Sequence, residues 1–307
     1  MKIFINLPTW LGDCVMASVA LRAIFEHFKG AKFVIFGSSV ACELFKECEN
    51  VQVFVQSPKK RYLNFYRLSR IWGCFDYAFS FRSAFSAKLM LFMIQARHKF
   101  CFDKNKDKNS HQVLKYLSFM EHSLNLKVQD TSLFLPFKPL PKTKTLGLNP
   151  GAKYGLAKRW DSAYFAKTAL AFKNTHKILI FGVQSESEIC AEIENLLLKE
   201  GCECVNLCGK TSIKELCQQI SALDLFISND SGAMHIAAAY KIKTLAIFGP
   251  TKFSQTSPWQ NENARILHLD LACMPCMKRV CPLKHHKCMV DLKPELVINA
   301  GFSLLKE

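Results

Sequence analysis

The chain is expected to fold as α/β, in two tandem halves that each carry a parallel sheet wound with helices. Three observations lead there. Short apolar runs of strand length alternate with amphipathic stretches of helical length along most of the 307 residues. The alternation is interrupted by LFLPFKPLPKTKT at 133–145, where three prolines and basic residues without helical periodicity read as an interdomain linker. Finally, LDLFISNDSGAMHIAAAYKIKTLAIFGPT at 223–251 reads as a strand, a helix and a second strand, with a polar turn at the carboxyl end of the first.

Taken in order, KIFINL at 2–7 opens the first half as a buried strand, and WLGD at 10–13 turns from it into a helix. KFVIFG (32–37), VQVFVQ (51–56) and YAFSF (77–81) are the next strands, separated by helical sequence. Past the linker, LGLNP (146–150), KILIFG (177–182), ECVNLCG (203–209), DLFIS (224–228) and KTLAIFG (243–249) repeat the pattern. KPELVINAGFSLLKE (293–307) closes the chain as an amphipathic helix able to dock on either half, the N-terminal one included. Two Rossmann-like domains follow, 1–140 and 141–307, each long enough to bury a core.

The longest apolar runs, such as LMLFMI at 89–94, fall well short of a membrane span, and no export signal is evident, so a cytosolic protein with reduced cysteines is expected. Net charge is +16 and unevenly spread. Residues 1–145 hold 22 Lys and Arg against 10 Asp and Glu, whereas the remainder holds 19 against 15. A basic N-terminal half attracts anions: nucleic acid, anionic lipid or a phosphorylated sugar. No zinc-finger, KH or RNP signature favours nucleic acid.

In parallel sheets ligands gather at the carboxyl ends of strands, so three turns expected to face a cleft between the halves are candidates. WLGD places Gly12 and Asp13 at a helix start, where Asp13 is either a cap or a carboxylate at the cleft. NPGAKYGLAKRW at 149–160 combines two glycines with Lys153, Lys158 and Arg159, suited to an anion. SNDSGAMH at 228–235 carries Asp230, Ser231, Gly232 and His235 into a helix N-terminus, where unpaired N–H groups suit a phosphate, although Asp230 or Ser231 can equally serve as the cap.

With these turns in view the sequence resembles the bacterial lipopolysaccharide heptosyltransferases of glycosyltransferase family 9, most closely the heptosyltransferase II type. WLGD, NPGAKYGLAKRW, CGKTSIKEL (208–216), NDSGAMHIAAA (229–239), FGPT (248–251) and CMPCMKRVCPLKHHKCM (273–289) carry the resemblance, in order across nearly the whole chain. It implies a GT-B enzyme that transfers heptose from ADP-heptose with inversion and without metal or cofactor. The acceptor, the first heptose on an anionic Kdo-lipid A core, would bind the N-terminal half and the donor the C-terminal half. Such an acceptor implies peripheral contact with the inner membrane surface and no nucleic-acid partner.

Asp13, in a turn of the N-terminal half expected to face the cleft, is the expected general base, and the resemblance assigns Lys158 to the donor diphosphate. Gly12, Asp230, Ser231, Gly232 and His235 are expected at the donor, with Met234 against adenine or core. Glu186 and Glu188 follow the KILIFG strand, where a carboxylate can meet the donor ribose or simply stand as an exposed acid at a helix start. Lys59, Lys60, Arg61 and Arg82 are expected to meet the acceptor. Cys273, Cys276, Cys281 and Cys288, spaced C-x2-C-x4-C-x6-C, contain one C-x-x-C pair and two irregular spacings, which favours a reduced loop over structural zinc.

Overall fold

A computed structural model describes residues 1–307. The chain divides into two compact units, 1–136 and 137–307. The proline-rich segment is shared between them. Phe134 N–H donates to Ser18 Oγ in the first unit, whereas Leu140 N–H donates to Ser221 Oγ and Tyr240 Oη to the Phe137 carbonyl in the second. The changeover therefore lies at 136/137, a few residues before the expected boundary, because these hydrogen bonds fasten the second half of the segment to the second unit.

The N-terminal unit has strands β1 (Lys2–Asn6), β2 (Lys32–Gly37), β3 (Val51–Val55), β4 (Phe75–Ser80) and β5 (Ala96–Cys101), all parallel, in the order β3-β2-β1-β4-β5. Its helices are α1 (Leu11–His27), α2 (Ser39–Phe45), α3 (Arg61–Trp72), α4 (Phe85–Met93) and α5 (Gln112–Leu124). Ile3, Phe4 and Ile5 are wholly buried because helices cover the central strand on both faces, which is why β1 reads as an unbroken apolar run. α1 packs against α2 and α5, and α3 against α4. The chain steps outward from β1 through β2 to β3 and then returns to β4, so the direction of winding reverses between β1 and β4. Ligands of open α/β sheets bind at that point.

The C-terminal unit repeats the plan with β6 (Thr145–Asn149), β7 (Lys177–Ile180), β8 (Cys204–Asn206), β9 (Leu225–Asn229), β10 (Thr244–Ile247) and β11 (Ala264–Leu267), all parallel, in the order β11-β10-β9-β6-β7-β8. Its helices are α6 (Ser162–Leu170), α7 (Ser187–Lys199), α8 (Ile213–Ser221), α9 (Gly232–Ala239), α10 (Phe253–Thr256), α11 (Lys287–Val290) and α12 (Pro294–Lys306). Here the reversal falls between β6 and β9. The terminal helix α12 packs on α6 and β10 of its own unit. Gly301 permits that approach, since a Cβ there would lie 2.8 Å from Phe172, and Phe302 stacks on Phe172 with ring centroids 4.5 Å apart. Lys167 and Glu295 add an exposed ion pair at 2.5 Å.

Candidate active site

The loops after β6 and β9 are neighbours because the strands are, and three polar side chains tie them together. Asn229 donates through Nδ2 to the Pro150 carbonyl at 2.7 Å and accepts the Trp160 N–H at 3.2 Å. Asn149 Nδ2 reaches Ser231 Oγ at 3.1 Å. Ser231 is the N-cap of α9, its Oγ accepting the Met234 N–H at 3.4 Å, so the capping role belongs to Ser231 and not to Asp230. Gly232 is the first helical residue, which leaves the start of α9 with backbone donors and the positive end of its dipole at the winding reversal.

Asp230 has a different task. Its Oδ2 lies 2.5 Å from Lys158 Nζ and accepts the Thr251 hydroxyl at 2.7 Å, with side chains 5% and 11% exposed for Asp230 and Lys158. The Lys158 ammonium sits 4.8 Å from the Tyr154 ring centroid, and Arg279 lies 5.4 Å from the same ring. Arg159 Nε is buried without a hydrogen-bond partner. The turn thus gathers two cations around one tyrosine, a third with a spare donor, and one carboxylate that fixes the lysine. That is a cradle for a polyanion whose lysine is aimed before ligand arrives.

Glu186 is buried against this loop. Its Oε2 accepts the Val183 N–H at 3.0 Å, and a Cβ on Gly151 would fall 2.1 Å from its carboxyl. Met234, expected against adenine or core, is wholly buried and packs with Ala246 and Phe248. His235 is buried within the first turn of the same helix.

In the N-terminal unit Asp13 is the third residue of α1. The N-cap position is Trp10, whose side chain makes no capping bond, and Asp13 is the acidic residue of the first turn. Tyr116 of α5 donates its phenol to Asp13 Oδ1 at 3.3 Å. Burial, and then the negative Asp13, push the Tyr116 phenol well above its ordinary range and keep it a donor. Gly12 precedes Asp13 in this unit, whereas the other donor candidates belong to the second. Across the reversal, Asn6 at the end of β1 donates to Ser80 Oγ at 3.1 Å, and its buried Oδ1 has no partner.

Arg82, just past β4, donates to Gln56 Oε1 at 3.0 Å. Burial, and next the Arg61 guanidinium, press it below its ordinary value. Arg61 keeps Nε and Nη2 buried and unpartnered. Two guanidiniums close enough to repel each other, one with buried unpartnered donors, could hold an anion. Lys59 and Lys60 are exposed on the approach to α3, and Lys60 adopts a left-handed conformation at φ 48°.

The profile of glycosyltransferase family 9 (heptosyltransferase) matches residues 80–287. A curated relative, lipooligosaccharide heptosyltransferase 2 of Campylobacter jejuni serotype O:2, is 56% identical over the whole of this chain and 99% of its own. The chain belongs to glycosyltransferase family 9. This family 9 enzyme also shares its fold with solved relatives. The Escherichia coli ADP-heptose LPS heptosyltransferase II superposes with a TM-score of 0.80 at 20% identity, covering 100% of this chain and 99% of that one. The E. coli heptosyltransferase WaaC with ADP-2-deoxy-2-fluoro heptose does so with a TM-score of 0.70 at 15% identity, covering 88% and 94%. Two parallel sheets with covering helices make the glycosyltransferase a GT-B fold.

Sequence reasoning overlooked Asn149, Tyr154, Thr251 and Arg279 as members of the site. Arg279 lies in the cysteine-rich loop, which the structure folds against the Lys158 loop. Ala157 N–H donates to the Arg279 carbonyl at 3.0 Å, and the Ala157 carbonyl faces His286 Nε2 at 2.8 Å. Gly155 is obligatory there, because a Cβ would come within 2.4 Å of the Arg279 carbonyl oxygen. Cys273, Cys276, Cys281 and Cys288 line one pocket together with His285 and His286. Burial, then the neighbouring thiols, push Cys288 up to about 11. No three of the His, Cys, Asp and Glu side chains are arranged as a metal-ligand set.

Proposed function

We propose that the enzyme transfers L-glycero-D-manno-heptose from ADP-heptose to the first heptose of the lipopolysaccharide inner core, with inversion. The observation that carries this reading is the 56% identity, end to end, to a lipooligosaccharide heptosyltransferase 2. The geometry supports the chemistry. A diphosphate at the start of α9 would meet backbone donors and the Lys158 and Arg279 cations, so charge that grows on ADP as it leaves is stabilised by groups already in place. The WaaC relative solved with an ADP-heptose analogue supports adenine diphosphate as the carrier.

In the proposed step the acceptor hydroxyl oxygen attacks the anomeric carbon from the face opposite ADP. The new C–O bond forms as the bond from the anomeric carbon to the phosphate oxygen breaks. Asp13 takes the hydroxyl proton, its carboxylate oriented by the Tyr116 phenol. Arg61 and Arg82, with Lys59 and Lys60 nearby, would hold anionic groups of the Kdo-lipid A core. No metal or cofactor takes part in this scheme. Incubating the enzyme with ADP-heptose and heptosyl-Kdo-lipid A tests it by mass spectrometry of the acceptor. One added heptose in the inverted anomeric configuration is expected. Transfer from a different nucleotide sugar in preference to ADP-heptose would replace the donor assignment.

A further inference from the structure

The N-terminal unit presents an outer surface that transfer chemistry does not use. α3 and α4 lie side by side, with Phe65, Trp72, Met90 and Leu91 buried in one cluster on the sheet. Their opposite faces carry the most exposed apolar side chains of that unit: Ile71, Phe85 and Phe92 are 78%, 82% and 80% exposed. Arg67, Arg70 and Lys88 stand exposed among them at helical spacing, and Lys99 of β5 bonds the Phe92 carbonyl at 3.1 Å. Residues 51–102 hold nine Lys and Arg against one acid, Asp76. That carboxylate is already engaged by Arg97 at 3.5 Å and by the Lys2 N–H at 2.8 Å. The face therefore offers apolar tips set in positive charge with no free acid among them.

A second copy of the chain would bring like charge against like. A nucleic acid would neutralise the cations and leave aliphatic Ile71 without a partner. An anionic bilayer satisfies both features, because acyl boundary takes the apolar tips while headgroup phosphates take the guanidinium and ammonium groups. We propose that the outer face of α3 and α4 docks on an anionic phospholipid membrane, with Ile71, Phe85 and Phe92 inserted and Arg67, Arg70 and Lys88 at the phosphates. The proposal deepens the lipid-linked acceptor reading above and rests on it for its purpose, not for its geometry.

Flotation of the full chain with vesicles tests it. Vesicles containing phosphatidylglycerol are expected to bind at least about tenfold more tightly than phosphatidylcholine alone, and added salt to weaken that binding. I71S/F85S/F92S is expected to lose vesicle binding about tenfold or more, with an unchanged melting temperature and unchanged kcat/KM on a deacylated, soluble acceptor. Equal flotation of that variant and the parent, or no flotation of the parent, would overturn the proposal. So would a dimer in solution that the serine changes dissolve, or an oligonucleotide that binds more tightly than the vesicles through the same three residues. Vesicle binding without heptose transfer leaves the docking face standing and removes the acceptor reading; transfer without vesicle binding does the reverse.

Discussion

Asp13 and Lys158 divide the proposed chemistry at the level of single residues, and each can be separated from its structural role. Asp13→Asn keeps the size of the side chain and removes the base, so kcat is expected to fall by about 10² to 10⁴ while donor affinity holds. Asp13→Ala removes both the first-turn carboxylate of α1 and the acceptor of the Tyr116 phenol, so a loss of about 1–3 kcal/mol is expected by thermal melting. A variant Asp13→Asn that keeps more than roughly a tenth of normal kcat would end the assignment. Lys158→Ala is expected to lower kcat/KM for ADP-heptose by about one to three orders of magnitude. It also leaves Asp230 buried without its cation, so stability is expected to drop by about 3 kcal/mol. Near-normal kinetics in the folded variant would show that Lys158 only neutralises Asp230.

At the scale of elements, the site depends on how closely loops approach one another. Gly151 lies under the Glu186 carboxyl, and Gly151→Ala must push the two apart. Overpacking of this kind is expected to cost about 1–3 kcal/mol in chemical denaturation and to raise KM for the donor more than it lowers kcat. An unchanged donor KM would place Glu186 outside the donor site. The cysteine loop bears on the same region through Arg279. Since Lys158, Arg279 and the start of α9 supply positive charge to the cradle, transfer is expected to survive EDTA, and purified protein to carry less than one equivalent of zinc by elemental analysis. A full equivalent, together with unfolding of Cys273→Ser or Cys276→Ser, would make the loop a structural metal site.

For the whole molecule net charge is similar in the two units, so salt acts through where the cations stand. Lys59 and Lys60 are exposed, so capture of an anionic acceptor is expected to weaken as salt rises, while donor binding at Lys158, largely buried beside Asp230, changes less. Measuring KM for both substrates between low and high ionic strength checks this. Equal slopes would count against the division of labour between the units. No helix is long and apolar enough to cross a membrane, and the proposed lipid contact uses exposed groups on α3 and α4.

Both sheets were legible wherever a strand is buried on two faces, since β1, β2, β9 and β10 must then be unbroken apolar runs and have few alternatives. β5 and β11 were not, because they lack a run of buried apolar residues. ARHKFC exposes three consecutive polar residues and ARIL is only partly buried, so neither carries the apolar signal. The polar turn of 228–235 was recognisable as a strand-to-helix junction because Ser, Asp and Gly interrupt apolar sequence there. That Asp230 pairs with Lys158, leaving the cap to Ser231, depended on a contact between residues 72 positions apart. The burial of Met234, the placement of α12 on its own unit and the fold of the cysteine loop beside Lys158 are of the same kind. Periodicity and composition act over a few neighbouring residues and so determine strands, helices and turns. Only tertiary packing decides which side chain faces which across the sheet, because that is where burial and charge pairing are settled.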